Sequence, residues 1–196
     1  YLSCLIPEQY GGSGLGLSFA ATILEEIQAS GANGAATHAQ MYIMGTLLRH
    51  GTEAQKRAYL PKIATGELRL QAFGVTEPTA GTDTTSIRTT AVRQGDKYVV
   101  NGQKVWTSRA EHSDLMLLLA RTTPRDQVAK KTEGMSVFLV DMDLQRPSVA
   151  KYLGLNHGPG ISQFLAGDRQ ACPGFGDTRG RRGDLIRPGR QERHLL

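Results

Sequence analysis

Two stretches of this 196-residue chain bring together residue types that do chemistry. The first, Ala72-Phe-Gly-Val-Thr-Glu-Pro-Thr-Ala-Gly-Thr-Asp83, leaves a strand pattern and enters a turn dense in small residues. Backbone at a strand end offers N–H and C=O groups that match alternating donors and acceptors on the edge of a flat heterocycle, at no cost in side-chain entropy. Gly81 lets the backbone come close to a phosphate, and Thr82 adds a hydroxyl. The second stretch, Trp106-Thr-Ser108, sets an indole beside two hydroxyls, a trio suited to flanking a ring and donating to its nitrogen. Each also has a plainer reading, as a strand with a β-turn and as a core tryptophan with turn-forming hydroxyls. Glu77, held before Pro78, reads as a structural acceptor for backbone N–H groups rather than as a base.

Other motifs carry less. Tyr10-Gly-Gly-Ser-Gly-Leu-Gly16 provides no G-x-G-x-x-G frame and no preceding strand, so it reads as a loop leading into a helix. His38 and His50 fall on different parts of a helical surface and suggest no shared metal. Cys4 and Cys172 lie near opposite ends, without a second Cys or His at ligand spacing, so neither a disulfide framework nor a metal site is expected. Arg182-Gly-Asp184 spells an adhesion tripeptide within an Arg/Gly-rich stretch, where chance accounts for it.

The elements that must hold the two stretches are legible in the periodicity. Leu17 to Ser30 places Phe19, Ile23 and Ile27 on one stripe of a helix, and Ala35 to Arg49 repeats the pattern through Met41, Met44 and Leu48. Gly51 is placed as the left-handed terminator of the second helix. Thr52 and Gln55 form a capping box for a third helix that runs toward Leu60 and stops before Pro61. From Leu70 the period becomes two, with strands predicted over 71–76, 89–93, 98–100, 103–107, 115–122 and 135–140. Asn101-Gly102 carries the strongest hairpin signal, between Tyr98-Val-Val100 and Gln103-Lys-Val-Trp106.

Charge and composition bound the class. Lys and Arg number 23 against 18 Asp and Glu, a net charge of +5, and 39% of residues are hydrophobic, enough for a packed core. The longest apolar run, Leu115 to Ala120, has strand length, so a soluble chain is expected. Residues 1–7 show no secretory signal, and the first residue, Tyr1, is read as a cut end. Beyond about Asp143 the chain becomes rich in Gly, Arg and Pro without a sustained period, a segment expected to be disordered or read out of frame.

Three ordered motifs resemble the acyl-CoA dehydrogenase family: Ile6-Pro-Glu-Gln-Tyr-Gly-Gly12, Gln71 to Asp83, and Asn101-Gly-Gln-Lys-Val-Trp-Thr-Ser108. The resemblance covers about residues 1–143. It implies an α plus β fold: a partial N-terminal α-helical domain over 1–68, a middle antiparallel β domain over 69–143, and a divergent tail over 144–196, with the family's C-terminal helical domain missing.

By the same resemblance, FAD is the implied cofactor. Phe73, Val75, Thr76, Gly81 and Thr82 would line it, with Val75 and Thr76 on the pyrimidine side and Thr82 also touching the acyl-CoA thioester arm. Trp106, Thr107 and Ser108 match the family's second flavin segment, and Ser108 stands where many members have Thr. Implied partners are an acyl-CoA substrate, an electron-transferring flavoprotein and further copies of the chain, with no membrane or nucleic acid. The implied compartment is the cytoplasm, or the mitochondrial matrix in a eukaryote. The implied reaction is α,β-dehydrogenation to a trans-2-enoyl-CoA, for which the family's base is a Glu of the C-terminal domain. No residue here resembles that base, so no catalytic residue is assigned and the chain by itself is expected to be inactive. The competing reading is a noncatalytic scaffold whose Arg/Gly-rich tail binds polyanions or nucleic acid.

Overall fold

The computed structural model describes residues 3–95, 97–142 and 193–195. The described residues divide into two compact units, the first made of those within 1–73 and 108–116, the second of those within 74–107 and from 117 onward.

The first unit is built on three helices, α1 (Leu17–Ala29), α2 (Ala35–His50) and α3 (Glu53–Thr65). α2 is the buried one: Ala39, Gln40, Met41, Ile43, Met44 and Leu47 all face the interior. Cys4, Ala20 and Met41 form a cluster with Leu5, Ile23 and Leu24 around it. The glycine-rich stretch after Tyr10 is a loop leading into α1, as its spacing implies.

The capping box is present, with Thr52 Oγ1 accepting from Gln55 N–H and Gln55 Oε1 accepting from Thr52 N–H. Two helix-end expectations fail. Gly51 is extended (φ −67°, ψ 146°) rather than left-handed, while the αL cap belongs to Gly66 at the end of α3. α3 also continues through Pro61, because Tyr59, Leu60 and Ile63 are buried on both sides of it, and that packing outweighs the hydrogen bond the proline removes.

Strand β1 (Leu70–Gly74) follows, with most of its length in the first unit, where it lies beside the opening residues of β4 (Leu115–Arg121). The second unit carries β2 (Thr90–Gln94), β3 (Lys97–Asn101), the rest of β4, β5 (Met135–Asp141) and the short β6 (Arg193–Leu195), in the order β4-β2-β3-β6 with β5 paired to β4. β2 and β3 are antiparallel, Thr90 opposite Asn101 and Gln94 opposite Lys97. β2 meets β4 in parallel at Thr90 and Arg121, so the expected antiparallel sheet is in fact mixed.

The register moves the hairpin turn. It closes at Gly95 (φ 64°), not at Asn101-Gly102, and residues 103–107 form no strand. Gly102 serves another purpose: a Cβ there would lie 2.6 Å from Thr89 Cα, so glycine is what lets the two backbones pass.

Among the described residues no helix is long and apolar enough to cross a membrane. Apart from Arg193–Leu195, the Gly/Arg/Pro-rich region assigned to 144–196 lies outside the described residues, as do Cys172 and the Arg182-Gly-Asp184 tripeptide.

Candidate functional site

In the second unit the two chemically suggestive stretches are joined. Val105 N–H donates to Thr76 C=O at 2.9 Å, and Lys104 Nζ donates to Val75 C=O at 2.9 Å. Irregular backbone over 102–107 is therefore tied to the end of β1 without being a strand. Val75, Thr76, Trp106 and Thr107 are brought into one neighbourhood by these bonds.

Glu77 anchors the arrangement. Its carboxylate accepts from Arg88 N–H at 2.6 Å, from Thr89 N–H at 2.9 Å and from Lys104 Nζ at 2.9 Å. The structural reading of Glu77 holds. Burial alone pushes its carboxyl upward, but Lys104 and the backbone donors outweigh that and hold it below the usual carboxylate value. Burial pushes the Lys104 ammonium below its usual value despite the facing carboxylate.

Gly81 and Thr82 are exposed, and a Cβ on Gly81 would meet nothing within 4 Å, so the backbone there is open to a close-lying group. Asp83 Oδ1 accepts from Thr85 N–H at 3.0 Å and closes the turn that follows. Buried Arg121 clamps the far side, donating from Nε to Ile87 C=O at 3.0 Å and from its terminal nitrogens to Thr85 and Glu133 carbonyls.

Trp106 is not a core residue. It is 86% exposed and held at φ 57°, an uncommon conformation for a bulky side chain. An indole this exposed is an apolar plate presented to solvent.

In the first unit, Phe73 packs edge-on against Tyr42 with ring centroids 6.2 Å apart, and Tyr42 in turn meets His38 at 5.1 Å. Ser108 opens a loop that returns to β4. That loop is fastened to Arg69, which donates from its backbone and guanidinium to Asp114 at 2.7 Å. Burial pushes the Asp114 carboxyl upward, but Arg69 overrides this and holds it below the usual value. Among the described residues the hydroxyls of Thr76, Thr82, Thr107 and Ser108 have no hydrogen-bond partner.

One set of polar residues escaped the sequence reading. Gln40 and Gln71 are buried, and Gln71 Nε2 donates to Gln40 Oε1 at 3.2 Å while Arg109 Nε donates to Gln71 Oε1 at 2.8 Å. The available signal was an amide inside an apolar run, Ala39-Gln-Met41 and Leu70-Gln-Ala72.

Residues 1–67 match the acyl-CoA dehydrogenase N-terminal domain, and residues 72–159 match the acyl-CoA dehydrogenase middle domain. Acyl-CoA dehydrogenase FadE26 of Mycobacterium tuberculosis is 42% identical over 134 residues, covering 68% of this chain and 33% of that protein. Mitochondrial isovaleryl-CoA dehydrogenase of Pongo abelii is 37% identical over 155 residues, covering 78% of this chain and 36% of that protein. The crystal structure of acyl-CoA dehydrogenase from Geobacillus kaustophilus superposes with a TM-score of 0.64 at 34% identity, over 72% of this chain and 37% of that one. The chain thus spans about a third of the length of the curated relatives it matches. With both domains matched in order, the chain belongs to the acyl-CoA dehydrogenase family.

Proposed function

We propose that this chain carries the flavin-facing part of an FAD-dependent acyl-CoA dehydrogenase. Its residues fit the group: four hydroxyls without partners among the described residues, an exposed indole, an open glycine and backbone at a strand end are donors and surfaces suited to a flat heterocycle with a phosphate arm. The observation that carries the reading is the pair of bonds from Lys104 and Val105 to Val75 and Thr76, which fastens the family's two flavin segments together.

Val75, Thr76, Gly81, Thr82, Trp106 and Thr107, with Phe73 and Ser108, would hold FAD, and Thr82 would also meet an acyl-CoA thioester arm. Bound FAD supplies a hydride acceptor for the substrate β-carbon. The protein's part is to orient the ring, exclude water with Trp106 and provide hydroxyl donors at Thr107 and Ser108. Removal of the α-proton needs a carboxylate poised beside the substrate, and Glu77 is committed to Lys104 and two backbone donors. We therefore assign cofactor binding to this chain and, among the described residues, leave Glu77 out of proton abstraction. Acyl-CoA as substrate, an electron-transferring flavoprotein as electron acceptor and self-association belong to the same reading.

Loading the chain with FAD and then adding an acyl-CoA tests it. Uptake of FAD without bleaching of the flavin band is expected. Failure to take up FAD overturns the cofactor assignment, and bleaching overturns the expectation that the chain is inactive by itself.

A further inference from the structure

We propose that Gln71 and Arg109 are a positioning pair that fixes the Ser108 hydroxyl for a bound flavin. The inference rests on the flavin reading above and adds to it residues that touch no cofactor.

Among the described residues only Trp106 and Arg109 combine a side chain with positive φ, at 57° and 62°, and they bracket Thr107 and Ser108. A left-handed arginine is strained relative to glycine, so the turn needs something beyond local preference to hold it. Gln71 provides the hold. Arginine only donates, so the Gln71 oxygen must face Arg109, at 2.8 Å from Nε. The Gln71 nitrogen must then face Gln40, whose oxygen lies 3.2 Å away. This leaves Gln40 Nε2 buried with no acceptor among the described residues.

Gln71 also grips the other end of the same loop. Its backbone N–H donates to Ser113 Oγ at 2.8 Å, and Ser113 Oγ lies 2.6 Å from Leu115 C=O. Between these two grips the chain makes a single turn, with His112 N–H donating to Arg109 C=O at 3.0 Å. The exposed Ser108 hydroxyl sits at the start of that turn. One buried strand residue thus sets both ends of the loop that presents it.

The test is a set of Gln71 and Arg109 variants of the full chain, read in two ways. Amide hydrogen exchange at His112 reports the turn without flavin, and FAD titration with the shape of the visible flavin band reports the Ser108 environment. Gln71→Met removes the acceptor and leaves the Arg109 charge in place. Arg109→Gly removes the side chain while favouring the same φ. Both are expected to speed His112 exchange and weaken FAD binding about tenfold, the loss of one hydrogen bond to a charged donor.

Gln71→Glu is the rescue. Its carboxylate accepts from Arg109, and a flipped Gln40 amide donates its otherwise unpaired nitrogen to the second oxygen. His112 protection and FAD affinity are expected to return to within about twofold of the parent, a difference too small to count as a lost hydrogen bond. Where burial of a methionine beside Gln40 unfolds the chain, Gln40→Met with Gln71→Met gives an apolar pair in which the same loss is expected. FAD uptake that is indifferent to Gln71→Met and Arg109→Gly overturns the pair's role while leaving the flavin reading standing. Sensitivity to Arg109→Gly but not to Gln71→Met overturns it also, since the arginine would then act through its own charge. A parent chain that takes up no FAD overturns the flavin reading, and this role with it.

Discussion

Lys104 Nζ lies 2.9 Å from Glu77 Oε1, with the two side chains only 3% and 4% exposed. The pair joins the turn after β1 to the irregular run before Trp106, and the Glu77 carboxylate also accepts from the Arg88 and Thr89 N–H groups. Removing one partner leaves an uncompensated buried charge. Lys104→Met is expected to cost about 3–5 kcal/mol in urea unfolding, and the double variant Glu77→Leu with Lys104→Met to recover a substantial part of that loss. A single-variant cost within about 0.5 kcal/mol, typical of surface changes, would contradict the account.

The same residues set an acid limit. Glu77 and Asp114 both have folded values below their ordinary 4.5 and 3.8, so the unfolded chain binds more protons as pH falls through this range. Their stabilisation is fully present above the ordinary carboxylate values and is lost as pH drops through the depressed folded values. The urea midpoint is expected to hold between neutral pH and pH about 5 and to fall steeply below about 4. Arg69→Met should shrink the Asp114 part of that fall.

Gly102 combines crowding with a positive φ of 157°, whereas Gly95 has the φ alone. Gly102→Ala forces a methyl against Thr89 and is expected to cost about 1–3 kcal/mol, with slippage of residues 103–107. Gly95→Ala meets open space and has only its φ of 64° to oppose it, so about 1 kcal/mol is expected. The order of the two thermal midpoints checks this.

Arg121 tests whether the turn after Thr82 is held from behind. Its guanidinium is buried and satisfied by the carbonyls of Thr85, Ile87 and Glu133. Arg121→Lys keeps the charge but loses the planar fork, so about 2 kcal/mol of stability and faster amide exchange over residues 84–87 are expected.

What the sequence made legible was whatever is decided locally. The positions of α1 and α2 follow from their helical spacing, although Phe19 of the α1 stripe is 56% exposed and Ala20 beside it is the buried residue, and the capping box follows from Thr52 and Gln55 alone. Tertiary packing hid the rest. Pro61 stays helical because Tyr59, Leu60 and Ile63 are buried around it. Asn101-Gly102 carries hairpin residues, yet the strand pairing of Gln94 with Lys97 places the turn at Gly95, while Gly102 is needed for close passage of Thr89. At the site, Glu77 was readable as a structural acceptor from its place before Pro78. Its partner Lys104, and the chain from Arg109 through Gln71 to Gln40, were not, because those contacts span dozens of residues and leave no periodic trace.

Trp106 is the single tryptophan in the sequence and is 86% exposed, so it reports directly on whether a ring is seated against it. Titrating the chain with FAD while following tryptophan emission tests whether this chain seats a flavin. Saturable quenching at one FAD per chain, a structured visible flavin band, and weakening of both by Ser108→Ala are expected. Solvent-like emission that FAD leaves unchanged, with a flavin spectrum like that of free FAD, would contradict that seating.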